Sequence, residues 1–490
     1  MALVHRVLSP DPIRTLDDYV VARGGRGLEA ARIMAPEEIN AAIVASGLRG
    51  RGGGGFPTGR KWRTVIDNRS TSQPPTVVVN GAEGEPGTFK DRTILRLDPY
   101  RVLEGALIAA VAVGADEIVI ALKRTFTREI ERVRAAVAEL DSAGWTEGVK
   151  VSVFEGPSEY LYGEETALLE ALDGRMPFPR IAPPYRRGVD EVVETPADLR
   201  TGSGLSAHVE LAGPEASDVA PPTLVNNVET LANVPSIVAR GAAWFRTEGT
   251  DESPGTIVCT VTGSTQVHGV GEVIMGTPLR EVIELIGGGP REGRRITAVL
   301  SGVANALITE DHLDAPVSYE GLAAIGSGLG SAGFMVFDDS VDPAAVAAGV
   351  SRFLAVESCG QCTPCKQDGL ALSDELSRLC RSDVDPALSG NISSRVGTVA
   401  DEARCYLATQ HQVVVNSLLE RFPRSVDAHA TGMVDPVEPL LVSELVDIVD
   451  GQAVWDERHL DKQPDWTYDA DWSGATPVDL TVDHRAHKTG

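Results

Sequence analysis

A chain of 490 residues that is 42% hydrophobic has enough apolar content for several packed domains, and its formal net charge of −26 leaves no basic excess with which to displace counterions from nucleic acid. No apolar run approaches the ~20 residues that span a bilayer, which excludes direct membrane insertion. The start, MALVHRVLSPDPIRTLDDYV, has neither the apolar centre nor the cleavage site of a signal peptide, so the chain is expected to stay in a reducing cytoplasm and dock on other proteins.

Residues 15–48 read as helices, and in PEEINAAIVASGL the Pro36 followed by two glutamates suits a first turn. The glycine run GLRGRGGGGFPTGRKW follows, from Gly47 to Trp62. Thr76 to Val79 reads as a buried strand running into the polar loop NGAEGEPGTFKDR. Val102 to Gly114 is an apolar helix, Glu117 to Leu122 a second strand, Phe126 to Leu140 another helix, and KVSVFEG a third strand. This alternation predicts an α/β layer fold with a mostly parallel sheet over residues 1–248. Residues 249–337 are strand-rich (TIVCTVTG, ITAVLSG, AGFMVFDD) with one helix in GTPLREVIELIGG, a small α+β domain. Residues 338–425 show helical spacing in PAAVAAGVSRFLAVESC, GLALSDELSRLC and EARCYLATQHQVVVNSLLERF. Residues 426–490 are rich in aspartate and hold Trp455, Trp466 and Trp472. A tail so aromatic is expected to lie across a partner, with the tryptophans as anchors.

Of the six cysteines, Cys359, Cys362 and Cys365 fall within seven residues. Three thiolates at that spacing can each reach a different iron of one cubane, and a [4Fe–4S] cluster needs a fourth from elsewhere. Cys405 and Cys380 are the candidates. Zinc also takes four thiolates, but its sites usually pair two short knuckles, so the spacing favours iron–sulfur. Cys380, on a helical face, and Cys259, in a strand, read as small core residues.

Gly50, Gly52 and Gly55 satisfy G-x-G-x-x-G, yet a helix rather than a strand precedes them, so the dinucleotide fingerprint is weak here. A bare glycine backbone flanked by Arg49, Arg51, Arg60 and Lys61 still suits close approach to a phosphate or a flat ring. Glu83 and Glu85 follow the first strand, at the end where open sheets bind ligands. In YLYGEETALLEALDG, Glu164 and Glu165 stand at a helix start, where they either favour the helix dipole or accept hydrogen bonds from a ligand. Asn226 and Asn227 stand ahead of another helix, as N-caps or as partners for a flavin edge.

Together GLRGRGGGGFPTGRKW, GEPGTFKDR, GEETALLEALDG, NNVETLANVP and ESCGQCTPC resemble, in order and spacing, the NADH-oxidising flavoprotein subunit of respiratory complex I and of NAD-linked hydrogenases and formate dehydrogenases, from about residue 20 to 420. The resemblance implies an FMN domain, a β-grasp domain and a helical bundle carrying a [4Fe–4S] cluster. It places Gly50, Gly52, Lys61, Asn80, Tyr160, Gly163, Val225, Asn226, Asn227 and Thr230 around FMN, with Glu83 and Glu164 as further candidates. Phe56, Glu85 and Glu165 would meet NAD, with the two glutamates as the catalytic pair. Cys359, Cys362, Cys365 and Cys405 would hold the cluster. NADH would pass a hydride to the flavin, and electrons would leave singly through the cluster. The partners implied are a thioredoxin-like [2Fe–2S] subunit and a larger iron–sulfur or catalytic subunit, which would make the chain peripheral to the inner membrane. The chain departs from the family pattern at Ala82 (usually aspartate), Ala182 (lysine) and Thr64 (aromatic), three changes expected on the flavin or nucleotide side, and more conservatively at Tyr185 (phenylalanine). The alternatives are a relay that keeps both groups but uses ferredoxin or a partner's cofactor, and a scaffold with an empty flavin pocket.

Overall fold

The structure is a computed structural model that describes residues 2–69, 74–181 and 222–486. Ala182 and Tyr185 lie outside the described residues.

Strands β1 (Thr76–Gly81), β2 (Glu117–Lys123), β3 (Lys150–Gly156) and β4 (Thr223–Asn227) form a parallel sheet in the order β3-β2-β1-β4. β1 is the run TVVVNG, buried on both faces as a central parallel strand must be. The chain winds outward from β1 to β3, then returns to place β4 on the other side of β1. The crevice between β1 and β4 is therefore the switch point of the sheet, where ligands of such folds bind. Helix Pro99–Val113 covers one face; Asp98 caps it, Pro99 occupies its first turn, and nearly every side chain is buried.

A second, mixed sheet holds β5 (Thr256–Gly263), β6 (Gly269–Ile274), β7 (Ile296–Ser301), β8 (Ile308–Thr309) and β9 (Gly333–Asp338), in the order β6-β5-β9-β7-β8. Helix Leu279–Gly287 packs its Leu279, Val282, Ile283 and Ile286 on this sheet. Cys259 lies in that core, fully buried on β5. Helices Pro343–Glu357, Thr363–Cys380, Leu388–Thr398 and Leu407–Arg421 form the helical part. Helix Leu388–Thr398 was not legible in its sequence. LSGNISSRVGT has weak helix formers, and Leu388, Ile392 and Val396 hold it from the core. The expected boundary at residue 425 falls inside a further helix, Pro423–Ala430, which packs on the one before it.

The tail folds onto the chain itself. β10 (Leu445–Val449) and β11 (Gln452–Trp455) make a hairpin over Asp450-Gly451, both at positive φ as a type I′ turn requires. Arg96 pairs with Asp447 at 2.6 Å, and Lys123 with Glu444. Trp466 is buried; its indole N–H donates to the Val356 carbonyl at 3.0 Å and its ring meets Phe178. Trp455 packs against the same core. The reading of the tail tryptophans as partner anchors is thus corrected for Trp455 and Trp466, which the chain's own apolar surface takes up. Trp472, 44% exposed, faces solvent. Among the described residues no helix is long and apolar enough to cross a membrane.

Candidate functional site

A cavity of about 780 Å³ opens at the carboxyl ends of β1 and β4, and the predicted residues converge on it. Gly50, Gly52, Phe56, Lys61, Asn80, Glu83, Glu85, Tyr160, Gly163, Glu164, Glu165, Val225, Asn226, Asn227 and Thr230 all line it, and Cys405 reaches the same wall.

The glycine loop is held from behind. The Gly50 N–H donates to the Phe56 carbonyl at 2.8 Å, and Tyr319 Oη donates to the Gly50 carbonyl at 2.5 Å. Arg49 Nε donates to the Gly55 carbonyl, and the Arg51 N–H to Thr230 Oγ1, each at 2.8 Å. Gly53 and Gly55 sit at φ of +126° and +60°, and a Cβ on Gly55 would strike the Tyr319 ring, while one on Gly54 would meet nothing within 4 Å. The loop is a fixed, side-chain-free surface that a flat ring or a phosphate can approach closely.

The polar side chains divide into those engaged within the protein and those left for the cavity. Glu83 accepts from the Asp91 N–H at 2.9 Å and from Arg92 Nε at 3.0 Å, so it caps helix Lys90–Leu97. Glu164 is the N-cap of helix Glu165–Leu172, accepting from the Ala167 N–H at 2.8 Å. Asn80 donates to the Gly163 carbonyl and accepts from the Ala82 N–H, pinning two stretches of wall together. Asn227 caps helix Val228–Arg240 and donates to Asp91. For these four the helix-cap or wall-bracing role is the one the geometry displays. Lys61 is different: its Nζ lies 2.7 Å from Glu165 and 2.9 Å from the Val225 carbonyl, part-exposed at the cavity. Asn226 accepts from the Trp62 indole at 2.7 Å, which orients its amide nitrogen away from Trp62. Glu85 accepts from Tyr160 Oη and from the Val303 N–H, each at 2.6 Å. Desolvation raises the Glu85 carboxyl above its ordinary value, against those two bonds, and raises the Tyr160 phenol well above its own. Phe56, 48% exposed, stands at the mouth beside Arg60.

Beneath the cavity is an ionic cluster whose members lie in GEPGTFKDR and NNVETLANVP, although those motifs alone assign Lys90, Asp91 and Glu229 no individual role. Lys90, with no exposed side-chain surface, lies 2.7 Å from Asp91 and 2.8 Å from Glu229. Burial raises the Asp91 carboxyl, and the surrounding carboxylates hold the Lys90 ammonium above its ordinary value against desolvation. Its local signal is FKDR, charges directly after a buried aromatic. Asn305, Ser331 and Gln410 also line the cavity but have no local signal.

The departures are reordered by the structure. Ala82 is buried in the cavity wall, as expected. Thr64 is not on the cavity; its hydroxyl donates to the Arg60 carbonyl of its own helix, Thr58–Asp67. The expectation that it faces the ligand is corrected: although Thr64 is one turn from Lys61, its hydroxyl bonds back to its own helix and it does not reach the cavity wall.

Cys359 and Cys365 are buried, and Cys362 is the N-cap residue of helix Thr363–Cys380. Cys405 precedes helix Leu407–Arg421 rather than starting it, because Glu402 at φ +56° breaks the EARCYL stretch expected to be helical. Gln361 Nε2 and the Arg404 N–H point at Cys359 Sγ and Cys362 Sγ, each at 3.4 Å. Desolvation pushes the Cys365 thiol up to about 11, and Cys359 and Cys405 also up, with the neighbouring cysteines adding to the rise. The four cysteines share apolar surroundings, with N–H donors aimed at two of the sulfurs, a chemistry that would suit an iron–sulfur core whose charge makes them thiolates; among the described residues no three such side chains are grouped closely enough to hold a single metal ion. Cys380 lies at the far end of the Thr363–Cys380 helix in the apolar core, its thiol pushed up to about 12 by burial.

His411, one turn into the helix after Cys405, is buried with Nε2 2.6 Å from Ser351 Oγ, and desolvation lowers its pKa from 6.5 to about 4. Its folded value is depressed, so the fold is unaffected above the ordinary value and loses stability as pH falls between the two. The full loss is ~3 kcal/mol. Denaturant midpoints measured across that window are expected to fall less steeply for His411→Gln than for the parent chain. Equal slopes would remove His411 as the source.

Comparison with known proteins agrees with this geometry. The Nuo51 FMN-binding domain matches residues 43–236, and the NADH-ubiquinone oxidoreductase-F iron-sulfur binding region matches residues 345–429. The F 2 subunit of NADH-quinone oxidoreductase from Rhizobium meliloti is 39% identical over 376 residues, 74% of this chain and 82% of that one. The F subunit of NADH-quinone oxidoreductase from Streptomyces coelicolor is 34% identical over 440 residues, 87% of this chain and 90% of that one. The HndC subunit of the NADP-reducing hydrogenase from Solidesulfovibrio fructosivorans is 34% identical, covering 86% of this chain and 81% of its own. A crystal structure of NAD+-reducing [NiFe]-hydrogenase in the H2-reduced state superposes with a TM-score of 0.71 at 29% identity, over 87% of this chain and 68% of that one. With a glycine-lined cavity at the sheet's switch point and Cys405 in its wall, the chain belongs to the family of NADH-quinone oxidoreductase F-type flavoprotein subunits.

Proposed function

We propose that the chain is the electron-input subunit of a larger oxidoreductase, oxidising NADH at FMN in the switch-point cavity and delivering single electrons to a [4Fe–4S] cluster on Cys359, Cys362, Cys365 and Cys405. The observation that carries this reading is the shared wall: Cys405 lines the same cavity as the glycine loop, Lys61 and Asn226. Bound there, FMN supplies the conversion from two-electron to one-electron transfer that nicotinamide and iron–sulfur chemistry need.

The chain's own groups do the rest. The glycine loop gives a bare backbone face for the flavin and its phosphate. Lys61 brings a positive charge whose position is set by Glu165 and the Val225 carbonyl. Asn226, oriented by Trp62, offers its amide to a polar ring edge. Glu85 and Glu165 face the nucleotide, and the Tyr160 phenol and the Val303 N–H hold the Glu85 side chain in one orientation. The second sheet is a β-grasp unit, and electrons leave to a thioredoxin-like [2Fe–2S] subunit and a larger iron–sulfur or catalytic subunit.

Ala82 favours one second reading. A carboxylate beside the flavin is missing from the wall, which removes negative charge and eases formation of an anionic reduced flavin, so a donor other than NADH is the competitor. Anaerobic titration of the flavin-loaded protein separates the two. Bleaching of the flavin by near-stoichiometric NADH is the expected result; bleaching by dithionite but by neither NADH nor NADPH would transfer the assignment to the other donor.

A further inference from the structure

The last part of the tail lies on the cluster turn. The Val478 N–H donates to the Cys359 carbonyl at 3.1 Å, and Pro477 beside it is buried. Gly360, at φ +88°, lies directly against the tail: a Cβ there would lie 2.6 Å from the Cβ of Thr476. This contact is not a loose end laid on a surface. Asp465 accepts from Thr467 Oγ1 at 2.7 Å and from the Ser473 hydroxyl, which closes residues 465–473 into a loop. Trp466 fixes that loop to the last turn of helix Pro343–Glu357, the helix that leads into Cys359. From the other side, Gln361 donates to the Pro179 carbonyl at 2.9 Å. The turn that carries Cys359 and Cys362, part-exposed from Gly360 to Cys362, is thereby flanked by residues 178–179 on one side and residues 466–478 on the other.

Resting on the assignment of the cluster to these cysteines, we propose that residues 465–480 are a cover for it: Thr476, Pro477 and Val478 keep water and small solutes off the cluster turn. A [4Fe–4S] core with four thiolates carries one more negative charge when reduced. Excluding water therefore penalises the reduced form, so the cover lowers the midpoint potential and slows the escape of iron. The segment lies beyond residue 429, where the match to the iron–sulfur region ends. The cover is thus a device of this chain's own tail rather than of the matched domain.

Two variants test it in the full flavin- and cluster-loaded protein: Thr476→Trp, whose bulk cannot be seated over Gly360, and a chain ending at Ser473, which keeps the Asp465–Ser473 loop. Iron and sulfide content are measured first, then the rate of iron release to bathophenanthroline, then the midpoint by EPR-monitored redox titration. Both variants are expected to carry a full cluster, to release iron at least ~5-fold faster and to show a more positive midpoint. A full cluster with parental release rate and midpoint in both variants overturns the cover and leaves the cluster assignment standing. A parent chain that takes up no iron overturns both.

Discussion

Replacing Cys405 with alanine is expected to leave a protein whose flavin is still reduced by NADH but which passes electrons to its partner complex more than ~100-fold more slowly, because a [4Fe–4S] cluster short of one thiolate does not assemble. Cys380→Ala is the control. That thiol is buried at the core end of its helix, so its removal costs ~1 kcal/mol of packing and no iron. Iron content and low-temperature EPR of the two variants decide the matter together with the rates. Full iron in Cys405→Ala, or its loss in Cys380→Ala, would reverse the ligand assignment. The separation of the two activities in one variant is the informative part, since a general folding defect would lower both.

The second large effect is expected at Lys90→Met. This ammonium has no exposed surface and holds Asp91 and Glu229 together under the cavity, with Glu83 nearby. Removing it leaves carboxylates buried without their counter-charge, a loss of ~3–5 kcal/mol. Flavin content should fall with it, because Asp91 also holds Asn227, and Asn227 lines the cavity. Adding Glu229→Gln to Lys90→Met should return part of the stability, since one uncompensated charge goes with it. Urea unfolding of the single and double variants measures this. A single-variant loss under ~1 kcal/mol would mean the cluster is solvated or neutral rather than paired.

How far the chain could be read before folding depended on how local each determinant is. The parallel sheet was legible because TVVVNG and EIVIALK are apolar runs whose burial on both faces leaves few alternatives, while the edge strand KVSVFEG, only half-buried, shows as an alternating run after a helical spacer. The members of the cavity were legible as a set, since the glycine run, the two glutamate segments and the asparagine pair each carry chemistry in a short stretch. Their individual roles were not. Whether Glu83 or Glu164 faces a ligand or caps a helix turns on which N–H groups lie within hydrogen-bond reach, and both found backbone donors. The hairpin at Asp450-Gly451 had its turn signal in plain view. Its flanking residues are half-exposed, however, so the strands lack the apolar alternation that usually marks them. The helix Leu388–Thr398 and the seat of Trp466 depend on distant partners, which no window of sequence contains.

The wall of the flavin cavity draws on Gly50 near one end of the chain and Gln410 near the other. A polypeptide emerging from the ribosome completes its parallel sheet long before it completes that wall. The cavity therefore gains its last wall only when the helical region has folded against the sheet, and a chain truncated before that region should present an open cleft at β1 and β4 in place of a walled cavity.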